Sequence, residues 1–243
     1  MRASTIKAIL FDADGVIQRP SPVRGSLWAQ LLGGAVSVDA FLHEVFDAER
    51  TCYIGDGNFE RRFGALLDRW NCTGDLGAAL RAWTAIEVDR GILEIIAMLR
   101  ASGHRCYLAS NQEPYRARYM SETLLYRAAF DDEFYSCTVG HAKPAPAYFR
   151  AILDALSVRA EDTLFIDDLS TNVEAARGVG LRASVFAPNP DGRWHDHMRG
   201  VLANHGCGSG RTTRSPTKHR PYVACCCYLS RPWNRDCWSR EVA

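Results

Sequence analysis

With 243 residues, and 29 basic against 28 acidic side chains, the chain can bury a sizeable core in one large domain or a domain with an insertion. Its near-zero net charge gives no reason to propose a nucleic-acid or membrane surface as the main partner. No apolar run approaches the roughly 20 residues needed to span a bilayer, and the first residues lack a signal-peptide layout, so the cytoplasm is the expected location.

Residues 6–11 are bulky and apolar and read as a central strand. Asp12 and Asp14 follow, one residue apart, and then Gly15. That places charge at the carboxyl end of a strand, where open parallel sheets gather ligands. On an extended backbone the two carboxylates can share one side. Close carboxylates repel, and a divalent cation or a proton offsets the repulsion. Taken alone, the same residues also suit an ordinary turn.

From about residue 20 to residue 87 the patterns are helical. Leu27, Trp28, Leu31 and Leu32, then Phe41, Leu42, Val45 and Phe46, then Phe59, Phe63, Leu66, Leu67 and Trp70, then Leu76, Leu80 and Trp83 keep the spacing of one apolar helix face. Gly33-Gly34, Gly55-Asp56-Gly57 and Asn71 to Gly74 supply the breaks. This is a helical bundle inserted after the first strand, and its aromatic residues read as bundle core rather than a substrate box. Of those facing the site, Trp28, Phe46 and Tyr53 are candidates that periodicity does not separate.

Ile92, Ile95, Ile96 and Leu99 mark a helix closed by Ser102-Gly103. Residues 104–109 read as a second strand ending in Ser110-Asn111, with Gln112-Glu113 as a candidate rim. Pro114 opens a helix through Leu124, residues 134–139 read as a short strand, and residues 140–144 as a loop carrying Lys143. Tyr148, Phe149, Ile152, Leu153 and Leu156 mark a helix, and residues 163–166 a third strong strand ending in Asp167-Asp168. A helix over 171–179 and a strand over 182–186 complete an alternation that implies right-handed crossovers and a parallel sheet covered on both faces.

In such a sheet Asp12, Asp14, Ser110, Asn111, Lys143, Asp167 and Asp168 converge, because all strand ends face the same way. Four carboxylates against one lysine leave an excess of negative charge suited to a hard cation with oxygen ligands, and Mg²⁺ fits. Metal and lysine together suit a phosphoryl group. Asp12 is then placed for nucleophilic attack and an aspartyl-phosphate intermediate, and Asp14 for proton transfer, which asks for a raised pKa. Each residue has an ordinary alternative: Ser110 a turn, Lys143 a solvated lysine, Asp167-Asp168 a helix cap. His104, His141 and His195 show no ligand spacing.

The motifs Phe11-Asp12-Ala13-Asp14-Gly15-Val16, Ala109-Ser110-Asn111-Gln112, Lys143-Pro144 and Phe165-Ile166-Asp167-Asp168 with Asn172 resemble those of the haloacid dehalogenase-like (HAD) hydrolase superfamily, in order and spacing, across residues 6 to about 187. The resemblance implies an α/β fold, a Rossmann-like parallel-sheet core with an inserted α-helical cap: residues 1–16 and 88–203 as core, 17–87 as cap. It implies Asp12 as nucleophile and Asp14 as acid and base, with Ser110, Asn111 and Lys143 on the phosphoryl group. Mg²⁺ would be held by Asp12, the backbone carbonyl of Asp14, and Asp168, with Asp167 and Asn172 supporting. Asp14 is the aspartate that true dehalogenases of the family lack, which favours phosphate chemistry. Ala145 stands between Pro144 and Pro146 where many relatives carry Asp, which puts the order of that loop in question.

The expected function is Mg²⁺-dependent hydrolysis of a small phosphorylated metabolite. A phosphomutase using the same intermediate, or a catalytically silent binding protein with the same fold, are the rivals; oligomeric state and substrate are not legible. Residues 204–243 lose every amphipathic period and read as a disordered or atypical tail. There Cys225-Cys226-Cys227 and Cys237 lack a standard zinc spacing. The scattered Cys52, Cys72, Cys106 and Cys137 read as small buried residues.

Overall fold

In a computed structural model, which describes residues 5–33, 37–187 and 194–207, the apolar run before Asp12 becomes β1 (Ala8–Phe11), buried along its whole length. Ile9 and Phe11 join one apolar cluster, Ala8 and Leu10 a second. A central strand flanked on both faces has no wet side, which is why the run is continuous rather than alternating. The chain turns at Gly15 (φ +77°) into β2 (Gln18–Pro20).

Four helices follow: α1 (Arg24–Leu32), α2 (Val38–Arg50), α3 (Phe59–Arg69) and α4 (Leu76–Trp83). Ser37, Asn58 and Asp75 start the last three by accepting hydrogen bonds from the amides of Ala40, Arg61 and Ala78. β3 (Ile86–Val88) then pairs antiparallel with β2, so a two-stranded ribbon carries the chain out to the helices and back. Three residues per strand are too few to show a period, and the sequence pattern does not reveal the ribbon. The insert has its own core, in which Trp28 lies 5.9 Å from Phe41 and 6.1 Å from Phe63, and Trp83 lies 5.4 Å from Phe59. These aromatic rings are bundle core, as their spacing implies.

The remainder alternates. α5 (Arg90–Ala101), β4 (Arg105–Ser110), α6 (Pro114–Glu122), α7 (Tyr126–Ala129), β5 (Asp132–Tyr135), α8 (Ser136–Val139), α9 (Pro146–Leu156), β6 (Thr163–Asp167), α10 (Ser170–Gly178), β7 (Arg182–Val185) and α11 (Trp194–Asn204) follow in order. The five longer-range strands lie in the order β5-β4-β1-β6-β7, all parallel. This is a Rossmann-like α/β sheet with β1 at its centre. Among the described residues no helix is long and apolar enough to cross a membrane.

Two local readings need correction. The strand expected over 134–139 is β5 at 132–135, and residues 136–139 form a helical turn instead. The Ser136 hydroxyl is drawn inward, accepting from the Gln112 N–H at 3.0 Å, and Gly140 (φ +76°) closes the turn, so tertiary bonding overrides the strand propensity of Thr138 and Val139. The sequence also suggests no element where α11 lies, yet its Met198, Val201 and Leu202 complete the cluster under α5. Order continues past residue 204: Cys207 is buried, and His205 Nε2 lies 2.8 Å from the Ser184 hydroxyl. The rest of the expected tail, with Cys225, Cys226, Cys227 and Cys237, lies outside the described residues. Cys52 and Cys106 are buried and Cys72 and Cys137 half-buried, all as free thiols.

Ala145 is the extended residue just before α9, and no side chain caps the first turn there. A hydroxyl at this exposed position supplies the missing acceptor. Ala145→Ser is expected to stabilise the protein by about 1 kcal/mol, read as a rise in Tm of roughly 2–4 °C in a thermal melt.

Candidate active site

Parallel strands deliver their last residues to one edge, and β1, β4 and β6 end there side by side. Asp12, just past β1, is tied to β6 through its N–H and the Ile166 carbonyl at 2.9 Å. Its Oδ1 accepts from the Ala13 N–H at 2.7 Å and pairs with Lys143 Nζ at 2.8 Å. Lys143 also donates to Asp167 Oδ2 at 2.6 Å, while Leu169 N–H (2.8 Å) and the Asn172 amide (3.1 Å) hold Asp167 from the other side. Residues more than 130 positions apart in sequence thus share one buried lysine.

The Lys143 loop owes its place to Asn111. The Asn111 amide donates to the Lys143 carbonyl and accepts from the Lys143 N–H, both at 2.8 Å, a reciprocal clasp that orders the loop despite the alanine at position 145. Ser110, fully buried at the end of β4, accepts from Gln112 Nε2 at 3.2 Å.

Asp12, Asp167 and Asp168 each bring a carboxylate oxygen within 4.8 Å of the others. Burial pushes the Asp12 carboxyl up, Lys143 pulls it back and Asp167 raises it again, leaving it at about 7. Asp168 is likewise raised to about 6 by burial and by Asp167. Three clustered carboxylates facing one ammonium form an oxygen-only donor set with unbalanced negative charge, which fits Mg²⁺. Gly15 makes room for the Asp168 carboxylate: a Cβ there would fall 2.3 Å from Asp168 Oδ2.

Asp14 departs from expectation. Its carboxylate is absent from that cluster and is instead held by Arg116, whose two terminal nitrogens donate to its two oxygens at 2.7 and 2.8 Å. Gln112 Nε2 and Gln18 Nε2 add donors at 2.8 and 3.0 Å. Burial alone would raise the Asp14 carboxyl, but the guanidinium and these bonds bring it down to about 2, opposite to the raised value its acid role asks for. Gln112 and Glu113, expected at the rim, are fully buried because one serves Asp14 and the other caps α6. Arg116 carries no motif signal; its place three residues past the strand-end loop, on the first turn of α6, is the only clue.

A cleft of about 680 Å³ opens over these residues, and Arg50, Thr51, Tyr53 and Ile54, from the end of α2 and the loop beyond, form its far wall. Of the aromatic candidates only Tyr53 lines it; Trp28 belongs to the insert core and Phe46 packs 5.6 Å from Trp83. Tyr53 donates at 3.0 Å to Glu49, a buried carboxyl that burial raises to about 7.

A family model described as haloacid dehalogenase-like hydrolase matches residues 6–180. The chain is 28% identical over 210 residues to D-ribitol-5-phosphate phosphatase of Bacteroides thetaiotaomicron, covering 81% of this chain and 98% of that protein. It is 30% identical over 130 residues to GMP/IMP nucleotidase YrfG of Escherichia coli, covering 51% of this chain and 58% of that one. A solved HAD-family enzyme of B. thetaiotaomicron, in complex with magnesium and inorganic phosphate, aligns with a TM-score of 0.63 at 18% identity over 77% of this chain and 97% of that one. At that identity the likeness is one of fold.

Glu49 generates a pH prediction. Its ordinary value is 4.5 and its folded value about 7, so the fold retains a proton that the unfolded chain releases. The stability this contributes is complete below about pH 4.5 and is lost as pH rises through about 7. Glu49→Gln keeps an acceptor for Tyr53 without the charge. Thermal melts should show the variant more stable than wild type at pH 8, on the order of 2 kcal/mol, with the difference vanishing at pH 4.

Proposed function

Because the chain belongs to the haloacid dehalogenase-like hydrolases, we propose that it is a cytoplasmic, Mg²⁺-dependent phosphatase that hydrolyses a small phosphorylated metabolite through an aspartyl-phosphate. The observation that carries this reading is the convergence of Asp12, Asp167, Asp168 and Lys143, of which Asp12, Lys143 and Asp168 line one cleft. The phosphate esters in the names of the ribitol-phosphate and nucleotide relatives, and the magnesium and phosphate in the solved relative, support it.

Asp12, Asp167 and Asp168, with the backbone carbonyl of Asp14, would hold the cation. Bound there, Mg²⁺ would supply the positive charge that lets clustered carboxylates and a phosphoryl group occupy one site. Lys143 and the hydroxyl and N–H of Ser110 bind phosphoryl oxygens. Asp12 attacks phosphorus as the bond to the leaving oxygen breaks, and Asp14, which must first release one of its N–H donors and take up a proton from solvent, passes that proton to the leaving oxygen. Asp14 then takes a proton from water, the water oxygen attacks phosphorus, and phosphate leaves with the Asp12 carboxylate restored. Residues 17–87 act as a cap whose Arg50, Thr51, Tyr53 and Ile54 face the leaving group.

A panel of pentitol and hexose phosphates, nucleoside monophosphates and 4-nitrophenyl phosphate, assayed with Mg²⁺, tests this. Turnover is expected on at least one ester, with loss of about 1,000-fold or more in Asp12→Asn and reversible loss on chelation. No turnover above the Asp12→Asn control on any member of the panel, or activity indifferent to chelator, would sink the reading.

A further inference from the structure

The acid and base reading of Asp14, on which this inference rests, assigns nothing to Arg116. A carboxylate offers about four lone-pair sites, and four N–H groups from Arg116, Gln112 and Gln18 fill them here. The Asp14 side chain is 40% exposed and could have been left to water, yet a guanidinium has been buried beside it. Burying a guanidinium is costly unless its geometry is well satisfied, and Arg116 is only 7% exposed with its Nε lacking a hydrogen-bond partner among the described residues.

The guanidinium is braced from both parts of the fold. Gln112 Oε1 accepts from it at 3.0 Å. The ring of Trp83, at the end of the insert's last helix, lies 5.5 Å from its centre. Trp83 Nε1 in turn donates at 3.2 Å to Glu113, which caps α6 by accepting from the N–H groups of Tyr115 and Arg116. Insert, helix cap and guanidinium therefore form one connected assembly ending on Asp14.

We propose that Arg116 is a positioning residue for the acid and base step: its two-pronged hold, braced by Trp83 and Gln112, fixes the direction in which Asp14 presents its carboxylate to the leaving oxygen. Contact at both oxygens stops the carboxylate from rotating, which a single ammonium cannot do. To exchange a proton Asp14 must give up one donor, and the neutral amide bonds are the cheaper ones to break. Gln112 Nε2 already lies 3.2 Å from the Ser110 hydroxyl, so it has an alternative acceptor while the arginine keeps its grip. Since Trp83 comes from the insert and Asp14 from the sheet, the alignment holds only while the insert is seated.

The test is a double-mutant cycle on the full chain with Mg²⁺, using the fastest alkyl phosphate of the panel and 4-nitrophenyl phosphate, whose leaving group needs no proton. Arg116→Met should lower kcat on the alkyl ester about 10- to 100-fold with KM changed roughly threefold or less. The loss should be smaller on 4-nitrophenyl phosphate, and Arg116→Lys should recover part of it. In the Asp14→Asn background, Arg116→Met should cost nothing further. If Arg116→Met fails to fold, Arg116→Lys carries the same cycle, its loss confined to the Asp14 background. Unchanged kcat in a folded Arg116 variant, or an equal loss on top of Asp14→Asn, would overturn the positioning role while leaving the reading of Asp14 intact. Wild-type turnover in Asp14→Asn would overturn both.

Discussion

Asp12, Asp167 and Asp168 crowd within 4.8 Å of one another at the carboxyl edge of the sheet, with the Lys143 ammonium as their buried counter-charge. Like charges at that separation, withdrawn from water, resist ionisation, and the upward shifts of Asp12 and Asp168 express the cost. Much of the local architecture offsets it. Asn172 and the Leu169 N–H stabilise the Asp167 charge, Asn111 clasps the Lys143 backbone, and Gly15 yields the space Asp168 needs. A divalent cation with oxygen ligands would relieve the same repulsion more completely.

Asp12 and Asp14 stand one residue apart on one turn, yet their surroundings drive them in opposite directions. Burial and a neighbouring carboxylate hold the first near 7; an arginine fork and two glutamine amides hold the second near 2. Two identical side chains acquire opposite charge preferences through environment alone. The split depends on partners from different elements: Lys143 from the loop before α9 for one, Arg116 from α6 for the other.

The helical insert is more than a lid of convenience in this arrangement. It has an aromatic core of its own, the antiparallel β2-β3 ribbon joins both of its ends to the rest of the fold, and Trp83 reaches from it to the polar groups that surround Asp14. Tyr53 and Glu49, on the same insert, line or underlie the cleft. The sheet edge supplies the clustered carboxylates, and the insert faces them across the cleft.

The linear pattern was sufficient for the sheet, the insert and the strand-end residues, because all three rest on short-range regularities. Short continuous apolar runs such as 8–11 and 163–166 suit buried strands, the four-helix stretch repeats its apolar face, and charge directly after a parallel strand falls at the sheet's edge. The β2-β3 ribbon, α11 and the helical turn at 136–139 were not readable, since each is held by contacts distant in sequence rather than by its own period. The same holds within the site. That Asp12 and Asp167 come side by side follows from the pairing of β1 with β6; that Lys143 is clasped by Asn111 to reach both, that Asp14 is gripped by Arg116, 102 residues away, and that Gln112 is buried rather than at the rim, follows only from the tertiary packing of loop and helix against these strand ends. Residue type and spacing determined which chemistry this chain can support; the tertiary structure alone decided in which direction Asp12, Asp14 and Asp168 are pushed, because desolvation and long-range partners, more than sequence neighbours, set it.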